Sequence, residues 1–135
     1  MLMNKIRVLI ADDHAILRTG LKSLFSAQKD IEVVGEASDG TTAIEIAGQK
    51  HPNVVLMDLS MPGMYGVEAT AELVKRHPDV NVLILTTFGT SDSIDRALKS
   101  GASGAILKTA DFSELLAAIR KVSAGEKYVS PDIEQ

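Results

Sequence analysis

Cysteine is absent from the 135-residue sequence, which excludes disulfide bonds, thiol nucleophiles and cysteine-ligated metals. Tryptophan is absent too, and no apolar run approaches the ~20 residues that a membrane-spanning helix needs. Residues 1–5 lead directly into a strand-like run and show no signal-peptide pattern. We therefore expect a cytoplasmic protein that does not enter a membrane.

The charge balance lacks the basic excess that nucleic-acid-binding domains usually carry. The formal net charge is −4, and the lysines and arginines are interspersed with acidic residues. Such a distribution is typical of a solvated mixed surface. We expect any contact with DNA to be made by another module.

Short apolar runs alternate with segments of helical period along the chain. The runs that predict strands are Ile6–Ala11, Ile31–Ala37, Val54–Met57, Val82–Leu85 and Ala105–Leu107. Apolar residues three and four apart predict helices between them, including a stripe of Leu17, Leu21, Leu24 and Phe25. Five βα units in sequence predict an α/β fold, a doubly wound five-stranded parallel sheet with five helices on its two faces.

Charged or hydroxyl-bearing residues stand at the ends of four predicted strands. Asp12 and Asp13 follow the first strand, Asp58 the third, Thr86 and Thr87 the fourth, and Lys108 the fifth. Taken singly, each has an ordinary structural explanation, such as a helix cap, a turn, a strand preference or a surface lysine. In an open parallel sheet, ligands bind beyond the carboxyl ends of the strands. The joint arrangement therefore predicts one site with three carboxylates.

Three neighbouring carboxylates repel one another by roughly a few kcal/mol per pair at an effective dielectric of ~20. A divalent cation relieves this repulsion, and oxygen-only ligands favour magnesium (Mg²⁺), which suits phosphate chemistry. Lys108 supplies a further compensating charge. A carboxylate in such a site can attack a phosphoryl donor and form an aspartyl phosphate.

Four motifs occur in order along the chain: VLIADDHAILRTGL, VVLMDLSMPGMYG, LILTTF and GASGAILK. They resemble the receiver domain of two-component response regulators, and more narrowly the NarL/FixJ group, whose members carry a C-terminal LuxR-type helix-turn-helix. The resemblance implies a flavodoxin-like sheet of order 2-1-3-4-5. It covers roughly residues 5–124, and we assign residues 1–124 to the receiver domain. Residues 125–135 resemble the start of that group's linker, so we expect a DNA-binding domain that is missing here.

The resemblance also implies a role for each acidic residue. Asp58 matches the phosphoacceptor, which takes a phosphoryl group from a phosphohistidine on a sensor histidine kinase. Asp13 and Asp58 match the direct Mg²⁺ ligands, and Asp12 matches a ligand that acts through water. The backbone carbonyl of Ser60 matches the third protein ligand. A domain of this kind catalyses only its own phosphorylation and dephosphorylation.

Other residues match the switch that follows phosphorylation. Lys108 matches the lysine that pairs with the phosphate, Thr86 matches the switch hydroxyl, and Thr87 is included with them in the phosphate-binding set. The implied outcome is a homodimer and a switched transcriptional output domain.

Three positions depart from the family pattern. Ala105 stands where the family often has a switch aromatic, so the signal must leave by another route, for which the loop from Phe88 through Ser91 is one candidate. Thr109 follows the lysine where proline with a cis bond is common, which leaves the geometry of that bond open. Tyr65 replaces a common aspartate near the pocket mouth and is expected to cap or cover the third helix.

Competing functions make weaker matches. A phosphatase of the haloacid-dehalogenase type needs a second acid two residues after the nucleophile, where this chain has Ser60. A phosphorylation-independent interaction module normally lacks one of the acids or the lysine, and this chain keeps them all. A nucleotide-binding protein would have a glycine-rich phosphate loop after the first strand, and this sequence has none there.

Overall fold

The computed structural model describes residues 5–61, 64–87 and 92–133, which form a parallel sheet covered by helices. The strands are β1 (Ile6–Ala11), β2 (Ile31–Ala37), β3 (Val54–Asp58), β4 (Asn81–Thr86), β5 (Gly104–Leu107) and β6 (Tyr128–Val129). The helices are α1 (Ala15–Ser26), α2 (Gly40–Lys50), α3 (Gly66–Arg76), α4 (Asp92–Lys99) and α5 (Phe112–Ser123). The strand order 2-1-3-4-5-6 confirms the predicted order and adds a sixth strand.

The central strands are apolar throughout because helices cover both faces of the sheet. All five residues of β3 are buried. One face packs against α2, α3 and α4 through residues such as Ala43, Leu73 and Ile94. The other packs against α1 and α5 through residues such as Phe25 and Ile119. The strands between these two helix layers run parallel, so their carboxyl ends lie at one edge of the sheet.

β2 lies at an edge of the sheet, with Glu32 exposed. Asp111 caps α5, since its carboxylate accepts a hydrogen bond of 2.9 Å from Glu114 N. The apolar stripe of Leu17, Leu21, Leu24 and Phe25 lies on α1 as predicted, but its members differ in burial. Leu21 and Phe25 occupy the face toward the sheet, and Leu24 is half exposed beside the groove between α1 and α5.

Residues 128–133 pack against the sheet, which the sequence patterns did not predict. β6 pairs in parallel with β5, with Gly104 opposite Tyr128 and Ala105 opposite Val129. Beyond the strand, Ser130 N donates to Ala105 O at 2.9 Å, and Ile133 is buried in the core. The assignment of residues 125–135 as the start of a linker stays a prediction. Within the described part of the chain, no helix is long and apolar enough to cross a membrane.

Gly104 allows β6 to dock. A Cβ at this position would lie 2.1 Å from Tyr128 O, whereas a Cβ at Gly20 on α1 would meet nothing within 4 Å. We expect Gly104→Ala to lower the free energy of unfolding by about 1–3 kcal/mol through overpacking. Gly20→Ala, the matched control, should raise it by up to about 1 kcal/mol because alanine favours the helix. Urea titration followed by circular dichroism measures both.

A chain shortened to residues 1–125 tests whether the clash with Tyr128 causes the loss of stability, because this chain lacks Tyr128. In that background the effect of Gly104→Ala should largely disappear. An undiminished effect would show that the glycine is needed for a reason other than β6.

Candidate functional site

Sheet topology brings the ends of three strands together at one edge. β1 lies between β2 and β3: β2 is on one side of β1, and all later strands follow on the other side, beginning with β3. The direction in which strands are added to the sheet reverses at this point, and the carboxyl ends of β1 and β3 flank a crevice there. Asp12 directly follows β1, Asp58 is the last residue of β3, and Lys108 directly follows β5. The structure thus assembles the predicted carboxylates and the lysine from chain positions far apart.

Lys108 links the two most buried carboxylates. Its Nζ lies 2.8 Å from Asp12 Oδ2 and 3.4 Å from Asp58 Oδ1. The side chains of Asp12 and Asp58 are 1% and 3% exposed, and that of Lys108 is 14% exposed. Charges removed from water to this degree interact strongly and are costly without a partner. Lys108 provides that partner for both acids.

One lysine does not satisfy both acids. Asp12 Oδ2 and Asp58 Oδ2 are buried and receive no hydrogen bond from the described residues. Asp12 Oδ2 has the Lys108 ammonium at 2.8 Å as its ion-pair partner. Carboxylate oxygens left in this way fit a hard divalent cation, which binds oxygen ligands. The acidic cluster is therefore able to hold a metal ion.

The pKa of the Asp58 carboxyl is raised above its usual value. Burial is the main cause, and the negative charge of Asp12 adds to it. The Lys108 ammonium and the Ser60 N–H, which donates to Asp58 Oδ1 at 3.2 Å, act in the opposite direction. The site thus holds Asp58 in a state where added positive charge is favourable.

Two more potential ligands complete the acidic end of the pocket. Ligand atoms of Asp12, Asp13, His14 and Asp58 all lie within 4.8 Å of one another. His14 Nδ1 lies 2.8 Å from Asp12 Oδ1 and 3.4 Å from Asp13 Oδ1. The sequence interpretation missed His14, although its place directly after two aspartates, before a helix, was the available signal.

The remaining predicted residues lie around this centre. Ser60 is exposed two residues after Asp58, at the rim of the pocket. Thr86 ends β4 and is buried, one position beyond Leu85, which pairs with Asp58. Lys108 N donates to Thr86 O at 2.7 Å, so these two residues share a backbone hydrogen bond. Thr87 follows the strand and is exposed.

The three departures from the family pattern have different outcomes. Ala105 is fully buried in the core on β5. None of the described peptide bonds is cis, so the bond between Lys108 and Thr109 is trans. Tyr65 holds the N-cap position of α3, but its side chain is exposed and makes no capping hydrogen bond. The loop from Phe88 through Ser91 lies outside the described residues.

A family model described as the response regulator receiver domain matches residues 8–120. The chain belongs to this family. The relatives and structures it matches place it with the LuxR/NarL type of receiver domain.

Named relatives support the same placement. The chain is 40% identical over 130 residues to the transcriptional regulatory protein DegU of Brevibacillus brevis, covering 96% of this chain and 55% of DegU. It is 42% identical over 130 residues to the response regulator GacA of Pseudomonas viridiflava, covering 96% of this chain and 61% of GacA. The chain thus spans little more than half the length of the curated relatives it matches.

A solved structure shares the whole fold. The two-component response regulator of the LuxR family from Aurantimonas sp. SI85-9A1 superposes with a TM-score of 0.90 at 35% identity, covering 96% of this chain and 93% of that one. The receiver fold, with its parallel sheet and five helices, is thus shared across nearly the whole chain.

Replacing Asp58 should stabilise the receiver domain in the absence of divalent cations. Asp58→Asn removes a buried charge that Asp12 repels, so we expect the free energy of unfolding to rise by on the order of 1 kcal/mol at neutral pH. Asp30→Asn is the matched control with the opposite sign, because the Arg120 hydrogen bond lowers the Asp30 pKa and would be weakened. Urea titration in EDTA measures both.

The gain from Asp58→Asn should shrink as the pH falls. Because the folded chain raises the Asp58 pKa, it binds that proton more tightly than the unfolded chain. The parent protein therefore recovers stability relative to the variant as the pH falls from neutral through the raised pKa toward the usual value of 3.8. A difference that stays constant across this range would contradict the raised pKa.

Proposed function

We propose that this receiver domain accepts a phosphoryl group on Asp58 from a sensor histidine kinase and thereby switches an output domain. The observation that carries the proposal is the buried Asp58 carboxylate, which stands beside Asp12 and Lys108 with Oδ2 unbonded among the described residues. A carboxylate that is buried beside the ammonium of a lysine is suited to act as a nucleophile.

The transfer is a displacement at phosphorus. A carboxylate oxygen of Asp58 forms the new O–P bond while the bond from phosphorus to the donor breaks, and the donor leaves with the electron pair. For a phosphohistidine donor the bond that breaks is P–N. Water later attacks the acyl phosphate, which returns free phosphate and the Asp58 carboxylate. The domain therefore acts on its own side chain and not on a separate substrate.

Three protein groups would hold Mg²⁺ directly: the carboxylates of Asp13 and Asp58 and the backbone carbonyl of Ser60, while Asp12 would act through water. When bound, the ion neutralises charge on the phosphoryl oxygens during transfer. The acidic residues fit such an ion because their oxygen atoms converge and because two buried carboxylate oxygens, Asp12 Oδ2 and Asp58 Oδ2, receive no hydrogen bond from the described residues. Lys108, whose Nζ lies beside Asp12 and Asp58, supplies further positive charge.

Phosphorylation adds ~1.5–2 negative charges at neutral pH, close to Lys108. We infer that Lys108 exchanges its contact with Asp12 for one with the phosphate and that the hydroxyl of Thr86 turns toward a phosphate oxygen. Thr87, beside it, belongs to the same set. Since Lys108 N bonds to Thr86 O, movement of one biases the strand ends of both β4 and β5. A coupling of roughly 1–3 kcal/mol is typical of such switches.

The proposed partners follow from the family. Response regulators of this kind interact with histidine kinases and bind DNA through output domains. We propose that a DNA-binding domain beyond residues 125–135 provides the output, that phosphorylation favours a homodimer, and that the protein acts in the cytoplasm. The DegU relative, a transcriptional regulatory protein, agrees with a transcriptional output.

The acceptor assignment predicts the fate of a chemical label. Asp58→Asn should lose labelling by acetyl phosphate in Mg²⁺, because the amide is a poor nucleophile and forms no stable acyl phosphate. Asp79→Asn is the control, since Asp79 is exposed in the turn before β4, at the opposite edge of the sheet, and should label like the parent. Intact-mass spectrometry measures the added phosphoryl group. Labelling that survives in Asp58→Asn would overturn the assignment.

Metal dependence separates a phosphorylation switch from a phosphorylation-independent interaction module. Beryllofluoride should bind the parent chain only when Mg²⁺ is present, and ¹⁹F nuclear magnetic resonance detects the bound form. Replacing Asp13 with Asn should weaken this binding by at least about 10-fold, because a direct metal ligand is lost. Binding that is absent at every Mg²⁺ concentration would favour the interaction module, whereas turnover of an aryl phosphate would favour the phosphatase.

A further inference from the structure

Arg18 on α1 joins the loop after β1 to the neighbouring strand β2. One guanidinium nitrogen, Nη1, donates to the backbone carbonyl of Asp12 at 2.7 Å. The Nε of the same guanidinium donates to Glu36 Oε1 at 2.8 Å. Glu36 lies on β2, so a single planar group connects the acidic loop to a strand of the sheet. A planar guanidinium with fixed donor directions is suited to this kind of link.

The contact with Asp12 completes the restraint of its backbone. Asp12 N donates to Ala37 O at 3.0 Å, which ties the amide side of the residue to the end of β2. The carbonyl side is held by Arg18. With both sides held, the peptide plane between Asp12 and Asp13 has little freedom to rotate. The direction in which the Asp13 side chain projects from the backbone therefore depends on Arg18.

Asp13 needs this restraint more than its neighbours do. The Asp12 and Asp58 carboxylates are buried beside Lys108, whereas about a third of the Asp13 side chain is exposed. The contact that the structure shows for the Asp13 carboxylate is with His14 Nδ1, at 3.4 Å, and His14 is itself largely exposed. Contacts of this kind hold a side chain weakly.

Glu36 keeps the guanidinium in place. Lys22, one turn after Arg18 on α1, donates from Nζ to Glu36 Oε2. The hydrogen bonds from Lys22 and Arg18 lower the pKa of the Glu36 carboxyl, so this residue is ionised at neutral pH. The ionised Glu36 carboxylate holds Arg18 Nε in place, and Nη1 of the same guanidinium donates to the Asp12 carbonyl.

We propose that Arg18 is a positioning residue for the phosphoryl site, which orients the Asp13 carboxylate toward the divalent cation by fixing the peptide bond between Asp12 and Asp13. Arg18 touches neither the cation nor the phosphoryl group. The proposal deepens the proposed function and rests on it. This role also explains why the Arg18 guanidinium contacts the backbone carbonyl of Asp12.

The test compares two arginines that each pair with a carboxylate through Nε. Arg120 on α5 donates through Nε to Asp30 Oδ2 at 2.8 Å and through Nη2 to Asp30 Oδ1 at 3.1 Å. Asp30 precedes β2, at the edge of the sheet opposite the acidic pocket. Arg18→Met and Arg120→Met each remove the guanidinium and keep an unbranched stem of similar length. A general loss of stability would affect both, and a loss of metal-site geometry only the first.

We expect Arg18→Met to raise the Mg²⁺ dissociation constant by about 10-fold to 100-fold, the range for residues that orient metal ligands from behind. Arg120→Met should leave it unchanged. Isothermal titration calorimetry with Mg²⁺ alone measures both constants without a phosphodonor. Labelling of Arg18→Met by acetyl phosphate should be slow at low Mg²⁺ and approach the parent rate when Mg²⁺ saturates the site.

Two further variants keep the test decisive if Arg18→Met folds poorly. Arg18→Lys keeps the charge but has one ammonium for two partners, so it should restore only part of the Mg²⁺ affinity. Glu36→Gln still accepts from Arg18 Nε but removes the charge, so it should weaken Mg²⁺ binding in the same direction by less.

Parent-like Mg²⁺ affinity in Arg18→Met, or in both other variants, would reduce Arg18 to a structural ion pair and overturn the inference. That result is distinguishable from failure of the proposed function. If the function is wrong, Asp58→Asn keeps its label. If only this inference is wrong, labelling still requires Asp58, and replacing Arg18 leaves the Mg²⁺ affinity unchanged.

Discussion

The repulsion between Asp12 and Asp58, opposed by Lys108, is the interaction on which the rest of the site depends. Two buried carboxylates share one lysine, which approaches Asp12 to 2.8 Å and Asp58 to 3.4 Å. Burial first, and the charge of Asp12 second, raise the pKa of the Asp58 carboxyl despite the nearby Lys108 ammonium. Added positive charge would therefore stabilise the ionised form of the site.

The parallel sheet makes this arrangement possible and also connects it to the rest of the domain. Parallel strands end at a common edge, so residues from β1, β3 and β5 meet there without any local sequence relationship. The same strands continue into a core that is packed on both faces. A shift of Lys108 or Thr86 therefore acts on β5, and β6 pairs with β5 along its outer edge. Ala105, small and fully buried, lies opposite Val129 in that pairing.

Much of the fold was predictable because its signals are local. An apolar run bounded by polar residues predicts a buried strand, and the observed bounds of β1 and β2 are those predicted. β6 has two residues, too few for a periodic pattern, and its stability comes from pairing with Gly104 and Ala105 and from Ile133 in the core. The exposure of Leu24 depends on which side of α1 faces the sheet, and the four leucine and phenylalanine positions did not resolve this.

The sequence by itself determined the order of elements, the family, and the set of acidic residues, threonines and lysine that stand at strand ends. Tertiary structure alone decided which of them touch. Lys108 and His14 are 94 residues apart, yet Nζ and Nδ1 lie 3.4 Å from each other. Arg18 carries no strand-end signal, and its link from Glu36 to the Asp12 carbonyl exists only once α1 packs beside β2. Such contacts depend on packing and register across the sheet, which local patterns do not encode.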